Sequence, residues 1–225
     1  MNKDFITELK NSSFFSYLFE DNDVIMIYLG GSRAFNEHSE NSDYDIVILT
    51  KNKPHRKEGL FGLEYKGRKV HWYYEELFDL FLPITENWNI LEPISTVNLL
   101  TVLDNIIYEN PKYKAEINYI LENHKELAKV GAWNFLTYNN QFHEVLETNS
   151  APRAGKISYH IYNCYCIALD KEIDIEFAKW IKTAGAQKVK ELLDIVLEAN
   201  EYYQEHKNEI KQKRSYLLSK LKEVQ

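Results

Sequence analysis

The chain has 225 residues, of which 44% are hydrophobic and 27% charged, with a formal net charge of −7. That suffices for one large domain or two small ones with a buried core. The balance of 34 acidic against 27 basic residues excludes a uniformly basic nucleic-acid-binding coat, though not a local basic patch.

No run of 18 apolar residues occurs, so no membrane span is expected. The first 21 residues lack the apolar centre and small-residue cleavage site of a signal peptide, and read as an amphipathic helix. Residues 24–29 (VIMIYL) predict a buried strand, ending in Gly30-Gly31-Ser32-Arg33. After a polar loop, 44–49 (YDIVIL) predict a second strand. The polar stretch 51–59, with a Pro and a Gly, predicts a loop, and 61–65 and 69–74 predict two further strands around Gly67.

Beyond Tyr74 the spacing turns helical, with helices expected over 75–82, 95–104, 112–122, 125–147, 155–169, 175–183 and 186–222. Only 106–108 (IIY) still reads as extended. The last helix carries apolar points at Leu192, Leu193, Val196, Leu197, Tyr203, Ile210, Leu217 and Leu221, the stripe of a helix packed along a bundle. Its basic residues, from Lys207 to Lys222, are interspersed with acids and read first as a solvated face, with an RNA contact as the sharper alternative. The composition changes near residues 109–112 (ENPK). The expected fold class is α+β, with a mixed half over 1–110 and a helical bundle over 111–225. Cys164 and Cys166 point to different sides of one helix, cannot bridge, and favour a reducing, cytoplasmic setting.

The chemistry concentrates in residues 27–49, IYLGGSRAFNEHSENSDYDIVIL. Alternate side chains of a strand share a face, so Asp43 and Asp45 point the same way, about 7 Å apart. Two such carboxylates repel unless a hard cation lies between or beside them, and Mg²⁺ takes carboxylate, phosphate and water oxygens. Gly30 and Gly31 allow a sharp turn and close backbone approach. Ser32 stands where a helix can begin, and Arg33 supplies a forked donor, an arrangement suited to a triphosphate.

Gly-Ser followed after a short loop by Asp-x-Asp resembles the nucleotidyltransferase signature of the DNA polymerase β superfamily. The wider form, GSRAFNEHSENSDYDI, is similar to its bacterial and phage branch linked to RNA ligase and RNA repair. Members of that branch show Gly-Ser-Arg-Ala-Tyr-Gly and then Ser-Asp-Tyr-Asp; here Phe35 and Asn36 replace the Tyr-Gly. VHWYYEELFDLFLPITENWNILEPI resembles the branch's Tyr-Glu-Leu helix and Asn-Pro-Asn-(Ile/Val)-Leu-Glu segment, with Trp88 in place of proline. GKISYHIYNCYCIAL resembles its Gly-Lys-x-x-Tyr-His helix, with Asn163 at or next to an arginine position.

The resemblance implies a small mixed-sheet nucleotidyltransferase core, a triphosphate site at Gly31, Ser32 and Arg33, and metal ligands at Asp43 and Asp45. The superfamily places a third acid, the base for the incoming hydroxyl, on a later strand; here that position in RKVHWYYEE holds His71. His71 could serve as the base, Glu75 or Glu76 could reach in, or catalysis could be impaired. Glu75 and Glu76 themselves read as the first turn of a helix. Lys156 and His160, four apart on one helix face, are substrate candidates, as is Arg153 in an expected loop after Pro152. His38 reads as a solvated loop residue.

The expected activity is transfer of a nucleoside monophosphate from an NTP to a hydroxyl, with release of pyrophosphate and dependence on Mg²⁺ or Mn²⁺. The resemblance favours an RNA end, such as a tRNA, as acceptor. A protein hydroxyl, a small-molecule hydroxyl and a non-catalytic nucleotide-binding module are the alternatives. Nothing in the sequence fixes the preferred NTP or the oligomeric state.

Overall fold

The structure, a computed structural model, describes residues 3–13, 15, 23–52, 61–81, 96–137, 151–184 and 189–224. Its centre is a five-stranded mixed sheet in the order β3-β4-β2-β1-β5. The strands are β1 (Val24–Gly30), β2 (Tyr44–Thr50), β3 (Phe61–Tyr65), β4 (Arg68–Glu76) and β5 (Ile106–Glu109). β2 runs antiparallel to β1 and parallel to β4, while β3 and β5 add antiparallel edges. Every residue of β1 is buried, which its unbroken apolar run requires. The hairpin from β3 to β4 turns on Lys66 and Gly67, at φ 51° and 73°, two successive left-handed residues as in a type I′ turn.

The two faces of the sheet differ in kind. Ile27, Leu29, Tyr44, Ile46, Ile48, Val70, Trp72 and Tyr74 form one core with Phe5 and Leu9 of helix α1 (Lys3–Lys10) and with Phe15. The Phe5 and Tyr44 rings lie 4.4 Å apart. On the other face the register aligns Gly30, Asp45 and His71 across β1, β2 and β4, and beside them Tyr28, Val47 and Tyr73. The period of two thus separates a hydrophobic face from one that carries the polar motif.

The expected pattern needs correction in three places. Glu75 and Glu76 do not open a helix; they end β4, paired with Leu49 and Thr50, and the Thr50 hydroxyl donates to the Glu75 carbonyl at 3.1 Å. Sheet pairing there outweighs the helical spacing, and the 3₁₀ turn begins only at Leu77–Phe81. The helices expected over 112–122 and 125–147 are continuous within the described residues as α3 (Lys114–Thr137), entered through the 3₁₀ turn Pro111–Tyr113. Asn123 and His124 do not break α3, because their side chains bond back to the carbonyls of Tyr119 (2.8 Å) and Leu121 (2.7 Å). The expected residues 138–147 lie outside the described set. Helix α4 (Ala151–Ala168) starts earlier than expected, since Pro152 is well tolerated in a first turn, and this makes Arg153 helical rather than a loop residue.

The short helix α2 (Gly31–Ala34) follows β1, and a 3₁₀ segment (Asn98–Asp104) precedes β5. The remaining helices are α5 (Ile175–Ala184), where the Asp174 carboxylate accepts from the Phe177 N–H at 3.0 Å, and α6 (Val189–Val224). On α6, Leu217 and Leu221 are buried as expected, but Leu197 is 57% exposed and so is not part of a buried stripe. The side chains of Leu192, Leu193 and Val196 lie outside the described set. No helix among the described residues is long and apolar enough to cross a membrane.

The chain divides into two compact units, one combining residues 1–80 with 98–125 and 218–225, the other combining 81–97 with 126–217. Both are discontinuous in sequence. In the second unit Trp133 stacks on Tyr202 (5.4 Å) and Tyr202 on His206 (4.0 Å). Cys164 and Cys166 are buried free thiols, and burial pushes both above the ordinary thiol range, Cys164 the further. Because the thiolate is the reactive form, both should react with Ellman's reagent at least ~10-fold more slowly in the native protein than in guanidinium. A native thiol as fast as the unfolded one would contradict the burial.

Candidate active site

The turn after β1 requires its two glycines for different reasons. Gly31 has φ 62°, and a Cβ there would lie 2.1 Å from Oδ2 of Asp45. At Gly30 a Cβ would lie 2.8 Å from Nδ2 of Asn98. The Gly31 N–H donates to Oδ1 of Asn98 at 3.0 Å, so in this structure it faces the protein. Ser32 is buried in α2, and its carbonyl accepts the Glu37 N–H at 2.8 Å, closing the loop behind the turn. Asn36, where the resembling branch has glycine, adopts φ 59°, a conformation that asparagine tolerates better than most residues.

Asp43 lies immediately before β2 and Asp45 within it. His71 of β4 is paired in register with Asp45, and its Nδ1 lies 3.4 Å from Oδ2 of Asp43 and 3.9 Å from Oδ1 of Asp45. The structure therefore brings the three together. With side chains 36%, 32% and 27% exposed in that order, they are open to a ligand from solvent. Gly62, opposite His71 on β3, makes room for the imidazole: a Cβ there would lie 2.6 Å from Cδ2 of His71. Glu75 is buried and paired with Leu49; a strand rise of about 3.3 Å places it about 13 Å beyond His71, so it does not replace the missing acid.

Arg33 is placed differently from a phosphate ligand. Its Nε donates to the carbonyls of Ser42 (3.0 Å) and Asp43 (3.1 Å), and its Nη2 to those of Ser42 (2.6 Å) and Glu40 (3.3 Å). The guanidinium lies 4.0 Å over the Tyr44 ring and the residue is buried. Its fork thus shapes the loop that delivers Asp43. His38 is half-buried rather than solvated.

Residues that sequence reasoning missed lie beside the acids. Asn98 is buried, with its Nδ2 donating to the Tyr73 hydroxyl at 2.9 Å. The Tyr28 hydroxyl is buried with no hydrogen-bond partner among the described residues. Burial raises the Tyr28 and Tyr73 phenols well above their ordinary value, and nearby carboxylates add to this, so both are neutral in the working range. The signal for Tyr28 and Tyr73 was their placement two residues from Gly30 and His71; Asn98 had none.

Arg153 and Lys156 occupy the first turns of α4, and their side chains lie outside the described set. His160 is half-buried, its ring edge-on to Tyr159 (5.1 Å) and Phe135 (6.4 Å). All three belong to the second unit.

Two carboxylates beside a glycine turn offer a hard-oxygen donor set, and the close packing of Asp45 on Gly31 leaves no side chain between turn and carboxylate. No group of three His, Cys, Asp or Glu among the described residues could hold a metal by itself. The pair would fit a hard divalent cation such as Mg²⁺ that takes its other oxygen ligands from elsewhere.

A mixed sheet with a Gly-Gly-Ser turn on one strand and a paired Asp-x-Asp on its neighbour defines a nucleotidyltransferase-type core. The chain belongs to the polymerase beta nucleotidyltransferase family, whose model ("Polymerase beta, Nucleotidyltransferase") matches residues 15–129. No curated protein matches it. Among solved structures it is similar to a nucleotidyltransferase-like protein from Exiguobacterium sibiricum 255-15, at 11% identity and TM-score 0.37, over 94% of this chain and 79% of that one.

The Arg33 clamp has a measurable consequence. Arg33→Lys keeps the charge but loses the fork and the flat stacking surface. It should lower unfolding free energy by about 2 kcal/mol, the scale of charge-assisted hydrogen bonds in a buried site. Denaturant titration measures this, and an unchanged midpoint would show that the loop does not depend on the clamp.

Proposed function

We propose that the protein transfers a nucleoside monophosphate from an NTP to a hydroxyl acceptor and releases pyrophosphate. The observation that carries this reading is the meeting of Asp43, Asp45 and His71 beside the Gly31 turn. Asp43 and Asp45 would hold Mg²⁺ or Mn²⁺, and the bound ion would supply Lewis-acid activation of the phosphate and stabilise the leaving pyrophosphate. Gly31 and Ser32 shape the surface against which the triphosphate lies. Arg33 acts from behind, by fixing the loop that carries Asp43.

His71 stands where the resemblance expects the third acid. With the proton on Nδ1, toward the two carboxylates, Nε2 becomes the basic atom able to take the acceptor's proton. An RNA end is the acceptor favoured by the branch linked to RNA ligase and RNA repair. Lys156, His160 and Arg153 are its candidate contacts, and the cytoplasm is the setting in which the free thiols fit. A nucleotide-binding module without turnover is the second reading, and the imidazole in place of an acid is the observation that favours it.

The two readings separate on pyrophosphate release from each of the four NTPs with Mg²⁺, with and without added RNA. Nucleotide binding without release selects the second. Binding itself should need the divalent ion and discriminate little among bases, because the site offers phosphate and metal ligands and no identified base contact. Calorimetry that found equal affinity in EDTA would remove the metal bridge from the reading.

Asp45→Asn preserves shape while weakening the cation site and removing a like charge from the sheet face. Its stability in EDTA should stay within about 1 kcal/mol of the parent, while pyrophosphate release falls at least ~100-fold. A destabilised variant that still turns over would make the aspartates structural.

A further inference from the structure

We infer that Asn98 is the positioning residue of the triphosphate turn, and that Tyr73 fixes Asn98 in that role. The inference rests on the nucleotidyltransferase reading and adds to it a residue 67 positions away in sequence from the turn it serves. Asn98 opens the 3₁₀ segment Asn98–Asp104 and is 2% exposed. Both ends of its amide are used: Oδ1 accepts the Gly31 N–H at 3.0 Å, and Nδ2 donates to the Tyr73 hydroxyl at 2.9 Å.

The orientation of this amide is chemically determined. A backbone N–H can only donate, so Oδ1 must face Gly31; Nδ2 must then face a group that can accept, and the Tyr73 oxygen does. Tyr73 lies two residues beyond His71 on the same face of β4. The relay Tyr73–Asn98–Gly31 therefore ties the strand that carries the candidate base to the turn expected to meet the phosphates. Glycine at position 30 is what admits the amide, since a Cβ there would lie 2.8 Å from Nδ2.

The same segment holds the far end of α2. Asn105, just after it, donates to the Ala34 carbonyl at 3.4 Å and to the Thr101 carbonyl at 2.8 Å, and its own carbonyl accepts the Leu29 N–H at 2.9 Å. The Thr101 hydroxyl donates to the Asn98 carbonyl at 3.3 Å. An asparagine at the start of this segment and one just after its end thus bracket α2 at its first and last residues. Asn98 holds the end at which Gly31, in its left-handed conformation, abuts Asp45.

The test is a double-mutant cycle read by calorimetry with Mg²⁺ and whichever of ATP, CTP, GTP and UTP the parent binds most tightly. Asn98→Ala should weaken binding about tenfold, the worth of one lost backbone hydrogen bond. Tyr73→Phe should weaken it about threefold, because Asn98 keeps its acceptor but loses its fixed orientation. The double variant should bind no more weakly than Asn98→Ala, since Tyr73 acts only through Asn98. In pyrophosphate release the loss should fall on KM for the nucleotide rather than on kcat. Parent affinity in either single variant, or additive losses in the double, would overturn the inference; Tyr73→Phe alone decides it if Asn98→Ala does not fold. A parent that binds none of the four nucleotides would instead overturn the nucleotidyltransferase reading.

Discussion

The contact between Gly31 and Asp45 is the constraint on which the site depends. A carboxylate oxygen occupies the space where a Cβ at position 31 would stand, and the backbone there is left-handed. Only glycine meets both conditions at little cost. Once that contact is set, β1 and β2 must pair with Gly30 opposite Asp45, and the parallel pairing with β4 brings His71 alongside. Gly62 then becomes necessary on the next strand, because the imidazole leans over it. Three glycines on two strands and one turn thus make room for the side chains of Asp45, Asn98 and His71.

Charge on this face is arranged by use. Asp43 and Asp45 remain partly open to solvent, as the proposed cation site requires. Arg33 is buried, with its Nε and Nη2 donating to loop carbonyls and its flat face on Tyr44, whose hydroxyl in turn accepts from Arg68 at 2.6 Å. A cation sequestered in this way stabilises a loop conformation more than it attracts a ligand. Tyr44 belongs to the apolar core on the opposite face, so the loop bearing Asp43 is anchored through one ring to the most buried part of the sheet.

The substitution of an imidazole for the expected acid changes the electrostatic problem. Three carboxylates would all be hydrogen-bond acceptors; an imidazole beside two carboxylates can supply a ring N–H donor instead. The nearby Tyr28, Tyr73 and Asn98 add polarity without charge, which keeps further negative charge away from an expected triphosphate.

Much of the sheet was legible from local pattern. The runs VIMIYL and YDIVIL, the Gly67 turn and the alternation in RKVHWYY each obey a period or a turn chemistry that neighbouring residues alone impose. The same alternation put Asp43 and Asp45 on one face, and the family signature follows from that stretch together with its glycine turn. What the sequence could not supply were contacts made by chain segments far apart. Glu75 and Glu76 read as helical because their spacing is ambiguous, and only pairing with β2 made them strand. Arg33 read as a ligand because a guanidinium fits a phosphate and a row of carbonyls equally well. Asn98 carried no signal, since an asparagine in a helical stretch is unremarkable until folding brings it within 3.0 Å of the Gly31 amide. Local sequence determined the strands, their faces and the acidic pair; tertiary structure decided which polar groups stay open to solvent and which hold the backbone, because that depends on which donors the fold has already satisfied.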